Sequence, residues 1–328
     1  MDINALYKQF EGLRIAVVGD VMMDAYLIGK VTRISPEAPV PIVNLVKEDD
    51  RLGGAANVAM NLQAMGAVPI MCSVIGNDKD GKTMLSLFED AGVATDGLVR
   101  SSDRITTVKT RVLGNNQQLV RIDSEQTDLI TAEEEDLLIE AFQSLLNSGV
   151  DAVIFEDYNK GVLTPRVIRT LIDICQNKGI PTTVDPKRDH FFDYKGVTLF
   201  KPNLKELMEG LDVSIDFAKN PASLHAAVEM LEQRLGNQIS FITLSEYGVF
   251  IKEGDRQLHY EAHLRNIADV SGAGDTVISV ATLCLAAKMD IAYIAQIANL
   301  AGGLVCEATG VVSIDKERLL KETTKLIH

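Results

Sequence analysis

The sequence contains no tryptophan, and only 5% of its 328 residues are aromatic, so its core has to be built largely from aliphatic side chains. Cysteine is scarce. Cys72, Cys175, Cys284 and Cys306 lie apart in apolar segments, without the C-x-x-C spacing of a zinc or redox site. They are expected to be reduced core residues, which excludes a disulfide scaffold and fits a cytoplasmic protein. Positive charge is in deficit: 32 Lys and Arg against 46 Asp and Glu give a formal net charge of −14. That balance argues against a nucleic-acid partner, which calls for a basic face, although a few local cations would still serve a small anionic substrate. The longest apolar run, near 277–287, is too short to span a bilayer. Met1-Asp2-Ile3-Asn4 lacks the basic and apolar regions of a signal peptide, so no membrane partner is expected.

What is present is an ordinary globular balance, 46% hydrophobic and 24% charged, enough to bury a large core. The length fits one large α/β domain or two smaller ones. Ile15-Ala16-Val17-Val18 reads as a buried parallel strand, so Asp20 falls at its carboxyl end, where open α/β sheets bind ligands. Asp24 follows four residues later. Pro36, Pro39 and Pro41 exclude a helix and lead into an edge strand over 42–46. Gly53-Gly54-Ala55-Ala56-Asn57 opens a helix that Gly66 stops; the glycines either reverse the chain or bring amides and Asn57 to a ligand.

Residues 107–112 alternate, which puts Lys109 and Arg111 on one face; Asn115 and Asn116 make a turn, and residues 117–123 alternate again with Arg121 beside Asp123. This hairpin interrupts the α/β rhythm and, with the strand at 42–46, predicts a small sheet formed by two insertions, about 36–52 and 104–125. Thr131 and Glu134 then form a capping box, and Pro165 starts a helix to Lys178. Strands at 152–155, 182–184, 198–200 and 241–244 end in polar loops that a doubly wound sheet brings to one edge.

The most informative stretch is Asp269-Val270-Ser271-Gly272-Ala273-Gly274-Asp275-Thr276, followed by an apolar, helix-length segment. The first amides of a helix have no partner within it and lie at its positive end, a place suited to phosphate. A carboxylate there is best used to take a proton from a group that attacks the phosphate. The plainer alternative makes Asp275 a first-turn residue and leaves Gly272 and Gly274 to shape a turn.

The string D-V-S-G-A-G-D-T resembles the signature of the ribokinase-like (PfkB) sugar kinases. The resemblance implies one domain over 1–328, an α/β fold with a three-layer αβα doubly wound sheet, and a small β-sheet lid. It makes Asp275 the catalytic base and the amides of Gly272, Ala273 and Gly274 an anion hole. It places Asp20, Asp24, Gly53, Gly54 and Asn57 against the acceptor sugar. Asn203 and Glu206 match an N-x-x-E motif that organises Mg²⁺ through water, although the same pair also reads as an N-cap Asn with an N3 Glu. Ser245 and Gly248 resemble a nucleotide loop, Ser271 of the signature is placed at the nucleotide with them, and Asn299 and Gly303 match a helix beside the adenine. ATP and Mg²⁺ are the implied cofactors; a monovalent-cation requirement is left open. No P-loop, no H-R-D or D-F-G pair and no opening G-x-G-x-x-G occurs.

Residues 17–24, 33–41 and 53–61, together with Arg111-Val112-Leu113 and Asn116-Gln117-Gln118-Leu119-Val120-Arg121, are similar to bacterial heptose 7-phosphate kinases. The implied reaction phosphorylates the C1 hydroxyl of D-glycero-β-D-manno-heptose 7-phosphate, on the route to the ADP-heptose of lipopolysaccharide. A phosphorylated sugar needs cations, and Arg33, Lys109, Arg111, Arg121, Lys160, Lys187 and Arg188 lie in the loops concerned. Two or three of them are expected on phosphate, with the others in salt bridges. Arg111, Gln117, Arg121, Asp157, Lys160 and Lys187 are carried as substrate residues. Such kinases are often joined to a nucleotidyltransferase with an H-x-G-H motif, which this chain lacks, so a stand-alone kinase is expected, with a homodimer formed through the lid. A kinase for another sugar is the alternative. A non-catalytic sugar- or nucleotide-binding regulator is the third, and Asp275 argues against it.

Overall fold

The computed structural model describes residues 3–263 and 265–326. In chain order its elements are α1 (Ile3–Lys8), β1 (Arg14–Gly19), β2 (Val21–Ile34), β3 (Pro41–Gly54), α2 (Ala55–Ala64), β4 (Val68–Gly76), α3 (Lys79–Ala91) and β5 (Ala94–Ser101). Then come β6 (Val108–Gly114), β7 (Gln117–Ser124), α4 (Ala132–Asn147), β8 (Ala152–Glu156), α5 (Pro165–Lys178), β9 (Thr182–Asp185), β10 (Leu199–Phe200) and α6 (Leu204–Leu211). The chain continues through α7 (Ala222–Leu235), β11 (Ile239–Thr243), β12 (Val249–Glu253), β13 (Arg256–Tyr260), α8 (Ala273–Ala286), α9 (Ile291–Val305) and α10 (Lys316–Leu326).

Nine strands form one sheet in the order β13-β12-β11-β10-β9-β8-β1-β4-β5, parallel except for the β11–β12–β13 edge. Its central strands are apolar on both faces because both are covered. Ile15 and Val17 of β1 pack with α2, α8 and α9, whereas Ala16 and Val18 pack with α4, α5 and α7 on the other side. This is the expected three-layer doubly wound architecture. From β1 the chain moves outward through β4 and β5, then returns to β8 on the opposite side of β1. The order therefore reverses between β1 and β8, and the crevice at the carboxyl ends of these strands is where such sheets take ligands.

The second sheet has the order β3-β2-β6-β7. Two of its features depart from the sequence reading. The edge strand expected over 42–46 runs through Pro41–Gly54, because it pairs with β2 along its whole length. The sheet also includes β2, whose Asp24, Gly29 and Lys30 break the apolar alternation; pairing with β3 on one side and β6 on the other holds it extended. Gly53 and Gly54 end a strand, and Gly54 is at the same time the N-cap of α2, which opens where expected. Gly54 has φ +59°, and a Cβ on it would lie 2.5 Å from the Asp20 carbonyl oxygen, so the turn from β3 into α2 requires glycine.

Candidate active site

Helix α8 begins at Gly272, whose φ of +77° and small size let the loop turn into the helix. Asp269 holds that loop: its carboxylate accepts from the Ser271 amide at 2.9 Å, the Ser271 hydroxyl at 2.8 Å and the Gly310 amide at 3.0 Å. Ser271 was expected at the nucleotide; its hydroxyl instead ties the loop to Asp269. Of the three amides expected to cradle phosphate, that of Ala273 donates to the Val270 carbonyl at 3.3 Å, which leaves Gly272 and Gly274 for the role.

Asp275 occupies the third position of α8 and is buried. Helix α2 fixes it from the side. Asn57 and Asn61, one turn apart, face α8; Asn57 donates to Asp275 Oδ2 at 2.6 Å, and Thr276 donates to Asn61 at 3.1 Å. From the loop after β8 the Tyr158 hydroxyl donates to Asp275 Oδ1 at 2.8 Å. Burial raises the Asp275 carboxyl above the usual range; the hydrogen bonds from Asn57 and Tyr158 oppose this, and the nearby Asp185 charge adds to it. A carboxylate set in this way is a stronger base than one in water and keeps a fixed direction.

Beside it the carboxyl ends of neighbouring strands contribute Glu156 from β8 and Asp185 from β9, paired in register. Asp185 bonds the buried Lys201 at 2.8 Å and has Lys187 3.7 Å away. Burial works to raise its pKa, but these two ammonium groups outweigh it and hold Asp185 below the usual carboxylate range. Glu156 is pushed the other way, far up, by burial and by the charges of Asp185 and Asp275. Glu156, Asp185 and Lys201 were not singled out from the sequence. Both acids end parallel strands, which is a usable signal, but their adjacency depends on strand order.

A cavity of about 350 Å³ opens between the small sheet and α2, lined among others by Asp24, Tyr26, Arg51, Asn57 and Ser313. Asn57 is thus shared: it borders the cavity and bonds Asp275. Asp24 receives Arg111 Nη1 at 2.5 Å, and the Arg111 and Arg51 guanidinium groups lie 5.3 and 4.9 Å from the centre of the Tyr26 ring. Arg51, also missed from the sequence, lines the cavity with its guanidinium paired to Asp49 at 2.7 Å.

Other expected residues lie elsewhere. Asp20 is buried, and its carboxylate accepts the amides of Tyr158 at 2.8 Å and of Lys160 and Val162 at 3.1 Å; it shapes the loop after β8 instead of facing a sugar. Asp157 is buried under Tyr194, whose hydroxyl it accepts at 2.8 Å, and burial lifts its pKa to about 6. Gly53 abuts the Asp24 carboxylate and Gly54 the Asp20 backbone, so both serve close packing. Gln117 is exposed at the start of β7. Arg121 is exposed and paired with Asp123 at 2.9 Å, while Lys109 and Lys160 both bond Glu125, at 3.3 and 2.8 Å.

Asn203 and Glu206 form a reciprocal capping box on α6, at 2.9 and 2.8 Å, and the second Glu206 oxygen takes Lys187 at 2.8 Å. The side-chain oxygen of Asn203 is committed to the helix, which removes it as a direct metal ligand; Glu206 stays at the cleft. Ser245 is exposed with φ +53°, and Gly248 turns closely against the backbone of Tyr260 and Ala262. The Asn299 amide donates to the Glu261 carbonyl at 2.9 Å, and Gly303 lies under the Arg265 side chain.

The family model for pfkB family carbohydrate kinases matches residues 13–318. A curated relative from Geotalea uraniireducens (strain Rf4), named Bifunctional protein HldE, is 38% identical over 323 residues, which cover 98% of this chain and 65% of the relative. A protein of the same name from Methylobacillus flagellatus is 40% identical over 308 residues, covering 94% of this chain and 62% of the relative. The chain therefore spans somewhat less than two-thirds of these relatives. Among solved structures, phosphofructokinase-2 from Escherichia coli in complex with potassium superposes with a TM-score of 0.79 at 19% identity, covering 96% of this chain and 100% of that one. Among the described residues, no helix is long and apolar enough to cross a membrane.

Proposed function

The chain belongs to the pfkB family of carbohydrate kinases, and we propose that it transfers the γ-phosphoryl group of ATP to the C1 hydroxyl of D-glycero-β-D-manno-heptose 7-phosphate. The observation that carries this reading is the continuity between cavity and base. Asn57 lines the cavity under the small sheet and also bonds Asp275, so a hydroxyl held at the Asn57 end would be brought toward the base. Asp275 takes the hydroxyl proton as the oxygen attacks, and the amides of Gly272 and Gly274, at the positive end of α8, receive the phosphoryl oxygens. Asn57 and Tyr158 hold the base in place.

The divalent ion that accompanies ATP, taken here as Mg²⁺, neutralises phosphate charge; Glu206 is the residue that would hold it, through water. Ser245, Gly248, Asn299 and Gly303 remain our proposed nucleotide side. The heptose assignment rests on the N-Q-Q-L-x-R stretch of the small sheet and on the cations at the cavity, Arg51 and Arg111. The similarity to proteins named Bifunctional protein HldE supports it. The small sheet would serve as the lid. The exposed Val120 and Ile122, two apart on edge strand β7 and so on one face, suit a homodimer formed through it. A cytoplasmic place of work is part of the proposal, in keeping with the four free, buried cysteines.

The deciding experiment is a coupled ADP-release assay across heptose 7-phosphate, fructose phosphates and ribose. Preference for heptose 7-phosphate by at least a hundredfold in kcat/KM is expected. Preference for another sugar would replace the substrate, and no ADP release with any sugar would replace the activity.

A further inference from the structure

A second cavity, about 840 Å³, lies at the open edge of the nine-stranded sheet, where β13 is the last strand. It is formed on the α7 side. Phe250 of β12, in its wall, packs with α4, α5 and α7, whereas Asn299 and Gly303 of the proposed nucleotide side lie on α9, across the sheet. Its size is that of a small-molecule site, about 300–1,000 Å³. Two kinds of group line it. The first is a set of rings: Phe217 meets the Tyr247 and His259 rings edge-on, with centroids 5.6 and 5.1 Å away, and His225 meets Phe250 at 5.2 Å. The second is a set of acceptors. His259 Nε2 donates to the Tyr247 carbonyl at 2.7 Å, and His225 Nδ1 donates to the Gln257 amide oxygen at 2.8 Å. Those oxygens can only accept, so in the neutral rings His259 Nδ1 and His225 Nε2 are left as bare acceptors. Glu246 and Glu261 add carboxylates, and no lysine or arginine is among the described lining residues.

We propose that this cavity binds a small planar organic cation, an amidinium or guanidinium carried on an apolar body. A flat, delocalised cation stacks on ring faces, and its fork of N–H donors matches carboxylate and imidazole acceptors. A phosphate or carboxylate ligand would meet two glutamates and no cation, so charge excludes it. The net charge of −14 draws any cation toward the surface. The rings of Phe217, Tyr247 and Phe250 are what make this place select a flat one with an apolar body.

The test uses the full chain with neither sugar nor nucleotide present, so its outcome is independent of the kinase reading. The probe is benzamidine, titrated by calorimetry. One molecule per chain is expected to bind, with the uncharged benzamide and the ringless guanidinium ion each at least tenfold weaker. Phe217→Ala, at a partly exposed ring, should weaken benzamidine at least fivefold. So should Glu246→Gln, whose exposed position leaves folding untouched. Asp90→Asn, at the cavity under the small sheet, should leave it within twofold. Benzamidine at tenfold its Kd should raise the wild-type melting temperature by about 2 °C, and that of the Phe217→Ala, Glu246→Gln double variant by less than a quarter of this. Absence of saturable binding, or equal binding by wild type and Glu246→Gln, overturns the inference. Equal affinity for benzamidine and benzamide removes the charge from it, and equal affinity for benzamidine and guanidinium removes the rings; either result refutes the site as proposed.

Discussion

Each oxygen of Asp275 is held by a different element, Asn57 from α2 and Tyr158 from the loop after β8. The base is thereby aimed before substrate arrives, and its removal and its misdirection should differ in size. Asp275→Asn is expected to lower kcat about 10²–10⁴-fold, the usual worth of a positioned base, with the Kd for ATP within twofold by calorimetry. Tyr158→Phe keeps the base but frees one oxygen, so a loss of about tenfold in kcat with little change in either KM is expected; an unchanged kcat would remove Tyr158 from the positioning set. At the cavity wall, Arg51→Ala should raise KM about tenfold for the phosphorylated sugar while kcat is kept. Arg121→Ala, whose guanidinium is exposed and turned to Asp123, should stay within twofold.

At the scale of elements, the start of α8 depends on Gly272 twice. Its φ of +77° suits glycine, and a Cβ there would lie 2.9 Å from the Asn57 amide nitrogen. Gly272→Ala should cost about 1–2 kcal/mol in denaturant unfolding and also lower kcat, because Asn57 is pushed off Asp275. The small sheet is tied to the loop after β8 by Glu125, which takes Lys160 at 2.8 Å and Lys109 at 3.3 Å. Burial works to raise the Glu125 pKa, but the hydrogen bond from Lys160 and the charges of both lysines hold it below the usual glutamate value. Its contribution is thus present above the unfolded glutamate pKa and is lost as pH falls through the lowered folded one. Being partly solvated, the link is worth at most about 1 kcal/mol. Hydrogen exchange should show β6 and β7 loosening at pH 4 relative to pH 7, and Glu125→Gln should loosen them at both.

At the scale of the whole molecule, the reversal of strand order between β1 and β8 gathers the chemistry. Glu156 ending β8, Asp185 ending β9 and Asp275 in the first turn of α8 come from distant parts of the chain and meet at one place. The small sheet borders the cavity through Asp24, Tyr26 and Arg51 and leaves Val120 and Ile122 exposed. If the sheet pairs two copies, Val120→Asp with Ile122→Asp should shift the mass in light scattering from dimer to monomer. A monomeric wild type would end that reading.

The sequence by itself determined the local rules. Thr131 with Glu134 and Asn203 with Glu206 cap helices as their spacing requires, and the glycine-rich string opens α8 with Gly272 as its N-cap. Each of these depends on residues three or four apart, whose interactions survive in any context. Only the tertiary structure decided which polar residues face the cleft. Asp20 looked like a ligand residue from its place after a strand, but three amides of a loop some 140 positions away in the chain claim its carboxylate. Glu156 was one polar residue among several after the strand at 152–155, but strand order sets it beside Asp185 and Asp275. The glycine-rich stretch names a kinase because its chemistry is local; the groups that surround its aspartate are long-range neighbours, and burial fixes their charge.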